Sequence, residues 1–241
     1  MERKIRSALI SVYYKTGLED ILHELRRNGV TIYSTGGTYD FITGLGIPAI
    51  TVESLTAYPS IFGGRVKTLH PKVFGGILHR RENEEDVKQE KNYNIPPIDL
   101  YPFRETVART TDEDEIIEKI DIGGISLIRA AAKNYEDVLI ISSVNQYPDL
   151  LKILKDQDGV TTLEERRRFA GMAFGVTSSY DMAILGHFQP PVKLRYGENP
   201  HQQGTFHGDP GRVFTQLHGK ELSYNNLGDI DAAIALIKEF D

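Results

Sequence analysis

The stretch Gly63-Gly64-Arg65-Val66-Lys67-Thr68-Leu69-His70-Pro71 sets two cations, a hydroxyl and an imidazole beside a glycine pair, shortly after the turn-forming Tyr58-Pro59. Arg, Lys and Thr on one loop can hold a phosphate or a polarised carbonyl through charge-assisted hydrogen bonds, and glycine lets backbone come close to a ligand. A basic surface turn would have the same composition. Two segments upstream weigh against that reading. Ser11-Val12-Tyr13-Tyr14-Lys15-Thr16-Gly17 follows the apolar run Ala8-Leu9-Ile10 and precedes Leu18, Ile21, Leu22 and Leu25 at helical spacing. Thr16 and Glu19 have capping-box separation, so the helix is expected to begin at Thr16 with its free N–H groups facing the loop, where an anion is favoured. Ser34-Thr35-Gly36-Gly37-Thr38 follows Val30-Thr31-Ile32-Tyr33 and leads into Tyr39, Phe41 and Ile42. Loops at the carboxyl ends of neighbouring parallel strands share one crevice. The three segments are therefore expected to converge on one ligand, although any single Gly-Gly turn is more often just a turn.

The elements that must position these loops read as alternating strands and helices, the pattern of a parallel sheet. Ala49–Val52 and Val138–Ile141 read as further strands, and Asp112 with Glu115 caps a helix carrying Ile116, Ile117 and Ile120. Another helix runs through Ile128, Ala131 and Ala132. Phe169, Met172, Ala173, Val176, Tyr180 and Ala183 form a long apolar stripe, read as core or dimer packing. The charge run Glu82–Lys91 reads as a solvated helix face, and Gln189-Pro190-Pro191 as a linker. One place breaks the alternation. Between Ile95-Pro96-Pro97 and a helix near Arg104–Ala108 a strand is due, yet only Ile98-Asp99-Leu100-Tyr101-Pro102-Phe103 is available, too short and proline-bound for a central strand.

Composition fits an enzyme of the cytoplasm. The 241 residues are 40% hydrophobic, enough for one large domain and the start of another. No cysteine excludes a disulfide framework and a thiolate metal site, and the seven histidines lack metal-ligand spacing, so no metal is expected. No apolar stretch approaches the ~20 residues of a membrane span, and the amino terminus has no signal-peptide pattern. The net charge of −6 argues against a nucleic-acid partner. A nucleotide would have to be drawn by local cations.

The STGGT and GGRVKTLHP segments, with Ile120-Asp121-Ile122-Gly123-Gly124 and Arg129-Ala130-Ala131-Ala132-Lys133-Asn134, resemble the bifunctional purine-biosynthesis family that joins IMP cyclohydrolase to 5-aminoimidazole-4-carboxamide ribonucleotide (AICAR) transformylase. Leu194-Arg195-Tyr196-Gly197-Glu198-Asn199-Pro200-His201-Gln202 resembles the opening of the transformylase domain, with Arg195 and Tyr196 matching its AICAR-binding motif. The resemblance implies an α/β, methylglyoxal-synthase-like domain over 1–190, a parallel sheet flanked by helices. The truncated start of an α+β transformylase domain would follow over 191–241. In that partial domain the helix of Ile230, Ala233, Ile234 and Ile237 would lose most packing partners.

The resemblance also implies a homodimer and a nucleotide substrate. Ring closure would need no cofactor, whereas the full-length transformylase would use 10-formyltetrahydrofolate. Carried over by motif, Lys133 donates or accepts a proton, Asp121 orients or deprotonates a carboxamide, and Lys67 with Tyr101 polarises a formyl oxygen. Substrate binding falls to Ser11, Lys15, Ser34, Thr35, Gly36, Gly37, Arg65, Val66, Lys67, Thr68, Asp121 and Ile122. His70 is carried as a further candidate, although a histidine before proline is more often a structural hydrogen-bonder. Taken alone, Lys133 reads as a basic residue at a helix C-terminus and Asp121 as a turn former.

Two departures from the family stand out. Tyr13-Tyr14 occupies a place where many relatives have Ser-Asp. Relatives also carry a β-branched run ending in Asn-Leu or Asp-Leu before Tyr-Pro-Phe, and the resemblance assigns that Asn or Asp to nucleotide binding. The expectation is that the molecule needs a few residues before Tyr101 beyond those in the sequence to complete its sheet. Two other readings share the phosphate loops. Methylglyoxal synthases are shorter and lack GGRVKTLHP and RAAAKN together. A regulatory nucleotide-binding module, like the allosteric domain of carbamoyl phosphate synthetase, would not need Lys67, Asp121 and Lys133 together.

Overall fold

The computed structural model describes residues 1–93, 95, 96, 98, 100–104, 117, 118, 120–189 and 191–240, with only the backbone for 100–104. Two units emerge, Met1–Ser179 and Tyr180–Asp241. Their boundary falls inside the helix Leu163–Phe188, ahead of the expected linker, of which Pro190 lies outside the described residues.

In the first unit, β1 (Arg3–Lys4) pairs antiparallel with β7 (Val160–Thr161) beside the main sheet. The main sheet comprises β2 (Ser7–Val12), β3 (Thr31–Ser34), β4 (Ile50–Thr51), β5 (Leu100–Arg104) and β6 (Leu139–Ile141). Its order is β4-β3-β2-β5-β6 and every pairing is parallel. Central β2 is apolar because both faces are covered: Ala8, Leu9 and Ile10 are fully buried. The helix Leu18–Arg27 buries Leu18, Ile21, Leu22 and Leu25, and it packs with the helix Tyr147–Asp156. The helices Pro71–Leu78 and Gly123–Lys133 pack together, the latter also against β5 and β6.

Several sequence expectations change here. The first helix starts at Leu18, not Thr16: its N-cap is Gly17 at φ 76, with no side-chain cap. That left-handed turn suits glycine and carries the Thr16 hydroxyl out of capping register. The Gly36-Gly37 pair opens the helix Gly36–Gly44 instead of forming a separate turn. Only Ile50–Thr51 of the expected Ala49–Val52 strand is extended, because Thr51 accepts a hydrogen bond from the Ser54 N–H and caps a helix from Val52.

The larger correction concerns β5. Leu100–Arg104 does occupy the middle of the sheet, with Ala8 opposite Leu100, Ser11 opposite Phe103 and Tyr101 opposite Ile140. Pro102 lies opposite Ile141. A proline removes one ladder donor but keeps its carbonyl, and the flanking pairs hold the same register on both sides of it. The segment that looked too short and proline-bound for a central strand thus forms one of five residues. The expected helices at Asp112–Ile120 and Arg104–Ala108 fall largely on 105–116, outside the described residues.

The long helix Leu163–Phe188 buries Arg166, Phe169, Ala170, Ala173, Thr177 and Tyr180. Of the expected stripe, Phe169, Ala173 and Tyr180 are buried while Met172 and Ala183 are exposed, and Thr177 adds a polar residue to the buried side. Arg166 explains the tolerance for polar groups inside. Its guanidinium donates to the carbonyls of Met1, Tyr135, Glu136 and Thr161, tying β7 to the turn before β6. The charge run becomes the helix Glu84–Asn92, with no buried residue.

In the second unit, β8 (Val192–Lys193) pairs antiparallel with β9 (Thr205–Phe206). Ser223 and Asn226 form a reciprocal capping box on the helix Tyr224–Ile237, which buries none of its side chains.

Candidate active site

A cleft of about 1050 Å³ opens at the carboxyl end of β2. Ser11 forms one side, Gly63 to Leu69 another, and Ile120 to Gly124 a third. The Gly63-Gly64 pair takes φ 65 and 96, so the chain reverses tightly and presents Arg65, Val66, Lys67 and Thr68 to the cleft. Thr68 is buried against Gly123, where a Cβ would come within 3.0 Å of its hydroxyl. Glycine at 123 lets the two segments touch.

Asp121 stands at the start of the helix Gly123–Lys133 and accepts a hydrogen bond from the Gly124 N–H at 2.8 Å. Burial pushes its carboxyl above the usual carboxylate range, against the opposing pull of the Gly124 N–H, the Lys67 charge and the Gly123 N–H. The turn-forming role is therefore real, and it coexists with a half-buried carboxylate near a cation. That combination suits proton transfer.

Arg65 donates to Glu118 through Nε at 3.2 Å and also through Nη2. Both side chains are more than half exposed, 61% and 63%. Such a pair stabilises little, so an incoming phosphate can displace Glu118 at small cost. Glu118 and Phe62 line the cleft but were not picked out from the sequence. Neither sits in a motif, and their presence follows only from the turn that brings the loops together.

The second and third loops meet through hydroxyls. Ser11 Oγ lies 3.2 Å from Thr35 Oγ1, and Thr38 Oγ1 both donates to the Val12 carbonyl at 2.8 Å and accepts from the Val12 N–H at 3.2 Å. Ser34 is fully buried and its hydroxyl donates to the Ile10 carbonyl, so that side chain joins β2 to β3. Lys15 folds back onto the carbonyls of Val12 and Tyr13 at 2.7 and 2.9 Å; burial lowers its pKa. Gly36 and Gly37 form the first turn of their helix behind Thr35. Ile122 lines the cleft and is 60% exposed.

Of the candidates, Lys15, Ser34, Thr35, Gly36, Gly37, His70 and Lys133 do not line the cleft. His70 caps the helix Pro71–Leu78, its Nδ1 accepting from the Lys72 N–H at 3.2 Å, which is the structural alternative. Lys133 is exposed at the last position of the helix whose first turn lines the cleft. Ten residues at ~1.5 Å each put it about 15 Å from Gly123 along the axis, and it is not among the residues that line the cleft. Tyr101 lies in β5, but its side chain is outside the described residues.

In the second unit, Arg195 sits over the Tyr196 ring at 4.8 Å and donates to its hydroxyl at 3.2 Å. Ser223 and Arg195 together lower that hydroxyl's pKa.

The parallel sheet with loops converging at the carboxyl end of β2 defines an MGS-like α/β domain, and the model of the MGS-like domain matches residues 17–126. The model of the AICARFT/IMPCHase bienzyme matches residues 131–241. Together the two models match most of the chain, an MGS-like region followed by an AICARFT/IMPCHase bienzyme region. The chain is 54% identical over 256 residues to the bifunctional purine biosynthesis protein PurH of Bacteroides thetaiotaomicron, covering 99% of this chain and 50% of that protein. PurH of Clostridium acetobutylicum is 43% identical over 260 residues, 98% of this chain and 52% of that protein. The chain thus spans about half the length of the curated relatives it matches. Both alignments are longer than 241 residues, so each relative carries residues without a counterpart here. A solved structure titled "Crystal structure of ForH" superposes with a TM-score of 0.70 at 34% identity, covering 76% of this chain and 96% of that one.

Proposed function

We propose that this chain serves purine biosynthesis as an IMP cyclohydrolase, closing the ring of 5-formamidoimidazole-4-carboxamide ribonucleotide. The observation that carries the reading is one cleft holding Lys67 and the half-buried Asp121 beside the anion-binding groups of Ser11, Arg65 and Thr68. The carboxamide nitrogen attacks the formyl carbon, a C–N bond forms, and the former formyl oxygen leaves as water. A carboxamide is a poor nucleophile. Asp121, with its raised proton affinity, takes the proton from that nitrogen, while Lys67 stabilises negative charge on the formyl oxygen. Arg65 and Thr68 hold the phosphate and so keep the two reacting arms in contact. The reaction as proposed uses no metal or cofactor.

A homodimer belongs to the same proposal. In that proposal Lys133 takes part in catalysis by entering the cleft of a second copy, since it does not line its own. A cytoplasmic location fits, and no helix among the described residues is long and apolar enough to cross a membrane.

Incubating the purified chain with the formamido nucleotide and following IMP absorbance tests the reading. IMP should accumulate with chain-dependent turnover. Nucleotide binding without turnover would favour the regulatory module, and methylglyoxal release from a triose phosphate would favour the lyase.

A further inference from the structure

Two aromatic rings at the cleft, Tyr13 and Phe62, have no part in the chemistry above. Both line it, and both leave most of their surface in solvent, 68% and 73% exposed. Phe62 is also held at φ 54, the left-handed region that bulky side chains avoid. Gly63 and Gly64, the next two residues, share positive φ, so a glycine at 62 would make the same reversal without strain. A strained backbone carrying an exposed ring into a ligand cleft points to a use for the ring. Tyr13 lines the same cleft from the loop after β2. Its ring packs edge-on against Tyr14, with centroids 4.9 Å apart and planes at 78°, and Lys15 fixes the loop by donating to the Tyr13 carbonyl. The ring is therefore oriented before any ligand arrives.

We propose that Tyr13 and Phe62 form an aromatic rim that stacks on the flat heterocycle of a nucleotide. They would select base-bearing ligands over a bare sugar phosphate. The proposal rests on the nucleotide reading of the same cleft and adds what holds the base. Stacking on aromatic side chains is tolerant of base identity because every base offers a π face. The rim would accept both the open imidazole substrate and the closed purine product.

Titration calorimetry of the 241-residue chain with inosine 5′-monophosphate and, separately, ribose 5-phosphate tests it. Tyr13→Ala and Phe62→Gly should each weaken inosine monophosphate on the order of tenfold and leave ribose 5-phosphate unchanged. Tyr13→Phe should bind as the unaltered chain does. Phe62→Gly should also melt no lower than the unaltered chain, since it removes strain and an exposed ring, which separates a lost contact from a damaged fold. Equal weakening of both ligands, or undiminished inosine monophosphate binding in both variants, would overturn the rim while leaving the nucleotide reading intact. Failure of the unaltered chain to bind inosine monophosphate would overturn both.

Discussion

Asp121 joins two demands that pull against each other: it accepts the Gly124 N–H in the first turn of a helix, which favours the charged carboxylate, and it sits where burial disfavours that charge. Burial prevails. The folded chain therefore holds this proton to higher pH than the unfolded chain, so the stability tied to Asp121 is greatest below the ordinary carboxylate range and declines as pH rises through the raised value. Asp121→Asn keeps an oxygen for the Gly124 N–H and removes the buried charge. It is expected to melt at or above the unaltered temperature at neutral pH, while turnover falls by roughly 10²–10⁴-fold. Thermal melts at pH 4 and 7 with steady-state kinetics check both halves; a variant that keeps full turnover would remove Asp121 from the chemistry. Much of the cleft was legible at this scale, because Ser11, Arg65, Lys67, Thr68 and Asp121 are polar groups in ordered motifs. The turn at Phe62 and the Arg65–Glu118 pair were not, since both depend on contacts between distant segments.

Elements were legible where periodicity was strong, as in β2 and the helix Leu18–Arg27, and poorly legible where backbone geometry decided the outcome. Gly17 moved a helix start, and β5 tolerated Pro102 because its neighbours supply the remaining ladder. The helix Pro71–Leu78, which follows the Arg65–His70 loop, shows the same dependence at Gly75 and Gly76. A Cβ at Gly76 would meet the Pro96 carbonyl oxygen at 2.4 Å, whereas one at Gly75 meets only the Ile95 side chain, at 3.1 Å. Backbone cannot yield as a side chain can, and the Ile98 N–H already donates to the Gly76 carbonyl at 2.8 Å. Gly76→Ala is expected to destabilise by about 1–3 kcal/mol from overpacking, despite a helix-propensity gain of ~1 kcal/mol. Gly75→Ala should stay within about 1 kcal/mol of the unaltered chain. Urea unfolding midpoints decide it; equal midpoints for the two variants would show that the loop yields at Gly76 as well.

At the scale of the molecule, the proposed dimer gives Lys133 a catalytic part although it does not line its own chain's cleft. One unbroken helix separates Lys133 from Gly123 by about 15 Å. The exposed Met172 and Phe174 of the helix Leu163–Phe188 are apolar surface that the proposed dimer would bury. If the second copy's cleft receives Lys133, Lys133→Ala and Asp121→Asn injure different copies' contributions to the same site. Each variant alone should be inactive. Co-expressed under separate tags and purified through both, a mixed dimer contains one cleft with Lys133 and Asp121 both intact and one with neither. Activity should reappear in that mixed species, with one working cleft of two. Were Lys133 to act within its own chain, every cleft of the mixed dimer would lack one group, and the doubly tagged species would stay as inactive as its parents.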